Sequence, residues 1–161
     1  MEDRSFLGYR IWYTGGLGIA PKSLARLKDR LRAITRRNRG IPLQTMIAQV
    51  NALTTGWVTY FQLARAVSIL RRTDEWLRRK LRCVRLKQCK RKRFTAYFLR
   101  ECGVPPSRAW LLAASGLGWW RMAGSPPAAE AMPVAWFDNL RLVSLARHHA
   151  ALNVIGNRRG T

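Results

Sequence analysis

Two-metal polymerases and nucleases need clustered carboxylates, and this 161-residue chain carries only eight acidic side chains. Asp74 and Glu75 stand side by side where a third helix is expected to start, and capping that helix accounts for them. Glu130 and Asp138 are isolated, and no Tyr-x-Asp-Asp sequence occurs. Metal ligation is poorly served too. Cys83, Cys89 and Cys102 contain no C-x-x-C pair. His148 and His149 are adjacent and would face different directions on a helix. The cysteines read as buried or half-exposed thiols and the histidines as ordinary helix-end residues. Gly15-Gly16-Leu17-Gly18 lacks the spacing and the Lys of a phosphate-binding loop. The expectation is a chain with no catalytic residue, no metal and no cofactor of its own.

The cations are the chemistry that remains. Lys and Arg number 30, the formal net charge is +22 and the pI is about 11.7. Arg supplies 24 of the 30, and its planar fork of donors fits a phosphate bidentately and stacks on bases. Residues 1–93 hold 23 basic and five acidic side chains, against seven and three in residues 94–161. From Arg71 to Arg93, 12 of 23 positions are basic. Charge of one sign repels itself unless a polyanion relieves it, so nucleic acid is the expected partner. A membrane-surface helix is the competing use of a basic amphipathic stretch. The 48% of apolar residues argues instead for a folded core. No apolar run approaches a membrane span of roughly 18 residues, the start Met1-Glu2-Asp3-Arg4 lacks a leader pattern, and three irregularly spaced cysteines suit a reducing compartment. A cytoplasmic location is expected.

These side chains must be positioned by helices. Residues 6–13 and the glycines after them predict a short strand and turn, with Leu17-Gly18-Ile19 returning as a hairpin. Pro21 opens a helix to about Arg37, with Leu24, Leu27, Leu31 and Ile34 on one face. A second helix runs from about Leu43 past Phe61. Gly56 interrupts it, which suggests close approach of another backbone. A third starts at Thr73 or Asp74, with Leu77, Leu81 and Val84 as its apolar stripe and Arg78, Arg79, Arg82 and Arg85 on the outer side. Phe94–Glu101 and Pro106–Ser115 predict shorter helices, and Pro133 interrupts a segment from Ala128 to Leu145. Trp57, Tyr60 and Phe61 fit a core better than a base-stacking platform. Trp119 and Trp120 cannot both face one core, so one of them is expected at an interface or on a nucleotide.

Four stretches in order resemble the C-terminal part of group II intron-encoded reverse transcriptase/maturases. Phe6-Leu7-Gly8-Tyr9 is similar to the strand that closes the palm. Gly56-Trp57-Val58-Thr59-Tyr60-Phe61 is similar to a "GWxxYF" signature. Asp74-Glu75-Trp76-Leu77-Arg78-Arg79-Lys80-Leu81-Arg82 resembles a "D-x-W-[LI]-R-R-[RK]-L-R" helix, followed by Lys87-Gln88-Cys89-Lys90-Arg91, where Cys89 stands in place of the family's Trp. Gly118-Trp119-Trp120-Arg121 with Ser125-Pro126 is similar to "GYWR-x-x-x-SP", and Ala135-Trp136-Phe137 lies near the closing segment.

The resemblance implies a mainly α fold. It comprises a palm remnant at 1–20, a three-helix thumb, or domain X, at 21–92 and a D-like helical segment at 93–150, after which residues 151–161 read as a flexible tail. It implies an RNA-binding maturase module that holds group II intron RNA in its splicing-competent fold. Target DNA and a separate fingers–palm reverse transcriptase chain are the further implied partners. Without polymerase aspartates or a Cys-x-x-Cys endonuclease, the chain alone is not expected to be an enzyme. A thumb subunit of a split RNA-directed DNA polymerase and an inactive truncated remnant are the alternatives. The expected RNA contacts are Arg36, Arg37, Arg39, Arg71, Arg72, Arg78, Arg79, Arg82, Arg85, Lys90, Arg91 and Arg93. Gly56, Trp57, Tyr60, Phe61 and Trp76 are the expected motif core.

Overall fold

A computed structural model describes residues 4–158. The described chain is mainly helical, with one small antiparallel sheet at its start. Strands β1 (Arg4–Phe6), β2 (Tyr9–Ile11) and β3 (Leu17–Ile19) pair in sequence order, with Phe6 opposite Tyr9 and Tyr9 opposite Ile19. The β2–β3 hairpin matches expectation, but the strand expected over residues 6–13 is broken at Leu7 and Gly8, and Phe6 belongs to β1. Leu7 and Gly8 connect β1 to β2 with φ of 51° and 83°, as a two-residue hairpin requires. Gly8 is needed twice over. A Cβ there would also lie 2.8 Å from Ser23 Oγ and 3.1 Å from the Phe61 ring.

Helix α1 (Pro21–Ile34) opens on proline, whose missing N–H costs nothing at a helix start. It buries Leu27 and Leu31 one turn apart. Helix α2 is Leu43–Tyr60, and Phe61 follows directly, 5% exposed. Helix α3 runs Val67–Gln88 and buries Leu70, Leu77, Leu81 and Val84. It begins a turn and more before the expected start because Asp74 serves another helix. Asp74 is buried, and its carboxylate accepts hydrogen bonds from Leu145 N (2.8 Å), Ala146 N (3.1 Å) and Ser144 Oγ (2.7 Å). It therefore caps α9 (Leu145–Arg158), filling N–H groups that lack intrahelical partners and facing the positive end of the dipole.

Between them lie α4 (Lys92–Glu101), α5 (Pro106–Ala113), α6 (Trp119–Ala123), α7 (Pro126–Ala131) and α8 (Val134–Asn139). The α4 end is a Schellman arrangement: Gly103, at φ 94°, donates to Arg100 O, and Val104 donates to Leu99 O. Pro133 separates α7 from α8 as expected. Helix α9 extends to Arg158, into the stretch read from the sequence as a flexible tail; 159–161 lie outside the described residues.

The described residues form two compact units that interleave along the chain. One comprises 4–34, 48–75 and 143–158, and buries Ile19, Leu31, Val50, Phe61, Leu70 and Leu145. The other comprises 35–47 and 76–142, and buries Leu81, Leu99, Ala109, Met132 and Phe137. Among the described residues no helix is long and apolar enough to cross a membrane.

Candidate nucleic-acid interface

The motif aromatics belong to the first unit and serve folding. Phe61 is the buried member, with ring centres of Trp57, Tyr60 and Tyr9 at 4.6, 4.8 and 4.9 Å. Trp57 is half-buried and Tyr60 is 54% exposed, so the core role expected of all three falls chiefly on Phe61. Tyr60 still holds the sheet: its hydroxyl donates to Leu7 O at 2.9 Å, and Tyr9 Oη donates to Tyr60 O. Burial, and then the neighbouring Tyr60, push the Tyr9 hydroxyl pKa up. Gly56 departs from expectation, since a side chain there would meet nothing within 4 Å among the described residues outside its own helix. Trp76, in the second unit, is half-buried, with Lys80 Nζ 5.8 Å from its ring centre.

The arginines in the middle of α3, expected on an outer face, divide. Arg79 donates through Nε (3.1 Å) and Nη2 (2.8 Å) to Trp120 O, and its guanidinium lies 4.0 Å from the centre of the Trp120 ring. Arg82 donates through Nε (3.0 Å) and Nη2 (2.9 Å) to Met132 O. Burial, and then Arg78 beside it, lower the Arg82 pKa. Arg82 thereby caps α7 through its C-cap residue Met132, whereas Arg79 adds a second donor to Trp120 O, which also accepts from Gly124 N at 3.2 Å. Such short helices leave most of their carbonyls without an intrahelical partner. Arg85 lies 4.1 Å from the centre of the Phe98 ring. Of the two tryptophans, Trp120 is thus the exposed one, and a cation covers it.

Other predicted cations are brought together around cavities. Arg36, Arg37, Arg85 and Lys90 border a cavity of 540 Å³ in the second unit. Arg85, Lys90 and Arg91 border a second, of 630 Å³. Arg93 lies 4.9 Å from the centre of the Phe94 ring. In the first unit Arg71 borders a cavity of 860 Å³ with Arg65, His149 and Asn153. Arg39, Arg72 and Arg78 line none of these. Arg65 and His149 were not among the expected contacts. His149 is 4% exposed, and its Nε2 has no hydrogen-bond partner among the described residues. Only the placement of α9 by Asp74 brings His149 there.

Cys83 and Cys89 are buried and Cys102 half-buried; all three are free thiols whose pKa burial raises. Among the described residues no three His, Cys, Asp or Glu side chains come together to hold a metal.

Residues 24–103, from α1 through the end of α4, match the family model described as "Group II intron, maturase-specific domain". Among curated proteins none matches the chain.

Proposed function

Because the chain belongs, through residues 24–103, to the group II intron maturase-specific domain family, we propose that it is an RNA-binding module that holds group II intron RNA in its splicing-competent fold. One observation carries this reading. Arg36, Arg37 and Lys90 converge on one cavity, and among the described residues none of their side chains has an ion pair or hydrogen bond. Cations gathered without carboxylates are a standing site for phosphate oxygens. Such contacts fix position and supply affinity, while RNA shape and unpaired elements supply choice. In this reading the chain does no chemistry itself. The test is splicing of a group II intron RNA at limiting Mg²⁺, with and without the chain. Faster splicing supports the maturase role. Tight RNA binding with unchanged splicing reduces it to RNA binding alone.

A protein partner is the second reading. Phe6, Leu7 and Tyr13 are 67%, 67% and 100% exposed around the small sheet, and clustered exposed apolar groups mark interaction surfaces. A separate fingers–palm reverse transcriptase chain fits that surface. Co-purification of the two chains, lost on Phe6→Ser with Leu7→Ser, would support it.

A further inference from the structure

The corner after α3 holds a backbone outlier. Lys90 has φ 60°, the left-handed region that residues with a Cβ occupy at a cost. Gly103 fills the corresponding role after α4, which is the usual choice. A strained residue persists where its surroundings fix it, and it points toward function. The turn puts Lys90 on the wall shared by the 540 Å³ and 630 Å³ cavities. Arg85 and Gln88 are also on that wall, and both are held in place. Arg85 packs over Phe98, and Gln88 Nε2 donates to Ile41 O at 3.2 Å. The first cavity is further bordered by Arg36, Arg37 and Trp136. The second is bordered by Phe94 and Tyr97, which are 49% and 61% exposed. These two rings are three positions apart on α4 and so share a face.

We propose that this corner binds two consecutive unpaired nucleotides of RNA, one base entering each cavity and the phosphate between them lying on Lys90. The inference rests on the RNA-binding reading above and specifies the kind of RNA. Both volumes fall in the range of small-molecule pockets, roughly 300–1,000 Å³. A base inside an A-form helix is stacked and cannot enter a cavity, whereas an unpaired base offers its face to an aromatic ring. Arg36 and Arg37 suit the flanking phosphates bidentately. Glu101, the carboxylate lining the second cavity, accepts hydrogen bonds and suits an exocyclic amine on a base edge.

The experiment titrates the full chain with an unstructured oligocytidine RNA and with an RNA duplex of equal length. The variants are Phe94→Ala with Tyr97→Ala, and Lys90→Gly. Removing the two rings should weaken single-strand binding about 5- to 150-fold, the measured worth of base–aromatic stacking, and leave duplex binding unchanged. Lys90→Gly removes the charge and relaxes the left-handed backbone. Its melting temperature should hold or rise while single-strand affinity falls. A ring variant that binds single strands as well as the parent, or weakens on both RNAs alike, overturns the site while leaving RNA binding intact. A Lys90→Gly chain that melts earlier with unchanged affinity gives Lys90 a folding role and likewise overturns it. A parent chain that binds neither RNA removes the underlying reading, and the inference with it.

Discussion

The middle of α3 and the corner after it carry the same residue types at similar density, and the fold uses them oppositely. In the middle, Arg79 and Arg82 reach backbone carbonyls, Trp120 O within α6 and Met132 O at the end of α7. Arg82 completes Met132 O, the C-cap of the six-residue α7, whereas Trp120 O also accepts from Gly124 N at 3.2 Å, so Arg79 adds to it. At the corner the carbonyls are already taken by local N–H groups. Leu86 O accepts from Cys89, Lys87 O from Lys90, and Arg91 O from Phe94 and Thr95. Among the described residues the side chains of Lys90 and Arg91 donate to no backbone carbonyl. A side chain's role in a charge run is thus set by which elements the fold brings within its reach, and density alone does not reveal it.

Substitutions in the two places should behave accordingly, and two sites outside the charge run set the scale. The largest loss is expected for Phe61→Ala, about 3–5 kcal/mol in urea unfolding, because the ring is buried among three others. Trp57→Ala should cost less, since that ring is half-buried; equal costs would restore the shared-core reading of the motif. Asp74→Ala should follow at about 2 kcal/mol, from a lost cap and buried N–H groups left unpaired. It should also lower helical circular dichroism as α9 frays. Unchanged dichroism would mean that Ser144 suffices as cap. Arg82→Met keeps the aliphatic stem and strips Met132 O of its donors. A loss of about 1–3 kcal/mol is expected, with RNA affinity unchanged when both chains are folded. Full stability with weakened RNA binding would place Arg82 on the interface after all. The smallest effect on stability belongs to Arg36→Gln with Arg37→Gln, within about 0.5 kcal/mol, as for exposed positions generally. A larger loss would mean that these arginines, too, are structural.

Much of this was legible in the sequence. Periodicity and prolines placed α1, α2, α5 and the α7–α8 break, because local spacing and the Pro N–H deficit act within one element. The glycine and aromatic pattern placed the β2–β3 hairpin. Three things were not legible, each set by a partner distant in sequence. Asp74 reads as the cap of its own helix, and nothing local says that Ser144 and Leu145 will arrive beside it. Arg79 and Arg82 read as an outer face because the helix stripe of Leu77, Leu81 and Val84 says nothing about α6 and α7. Arg65 and His149 carry no spacing signal, since their meeting depends on α9. Gly56 remains the one signature residue whose type nothing in the structure explains. For the proposed interface, composition pointed only to a polyanionic partner. It could not separate Arg36, Arg37 and Lys90, which converge on a cavity, from neighbours that hold the fold.

The salt dependence of RNA binding tests the central claim most directly. If about six to ten cations contact phosphates, affinity for a structured group II intron RNA should fall about 10³- to 10⁵-fold between 50 and 200 mM salt. The slope should be lower by about two in the Arg36→Gln, Arg37→Gln chain and unchanged in the Arg82→Met chain. A parent affinity that barely responds to salt, or a slope that changes for Arg82→Met and not for the Arg36 and Arg37 pair, would contradict the account.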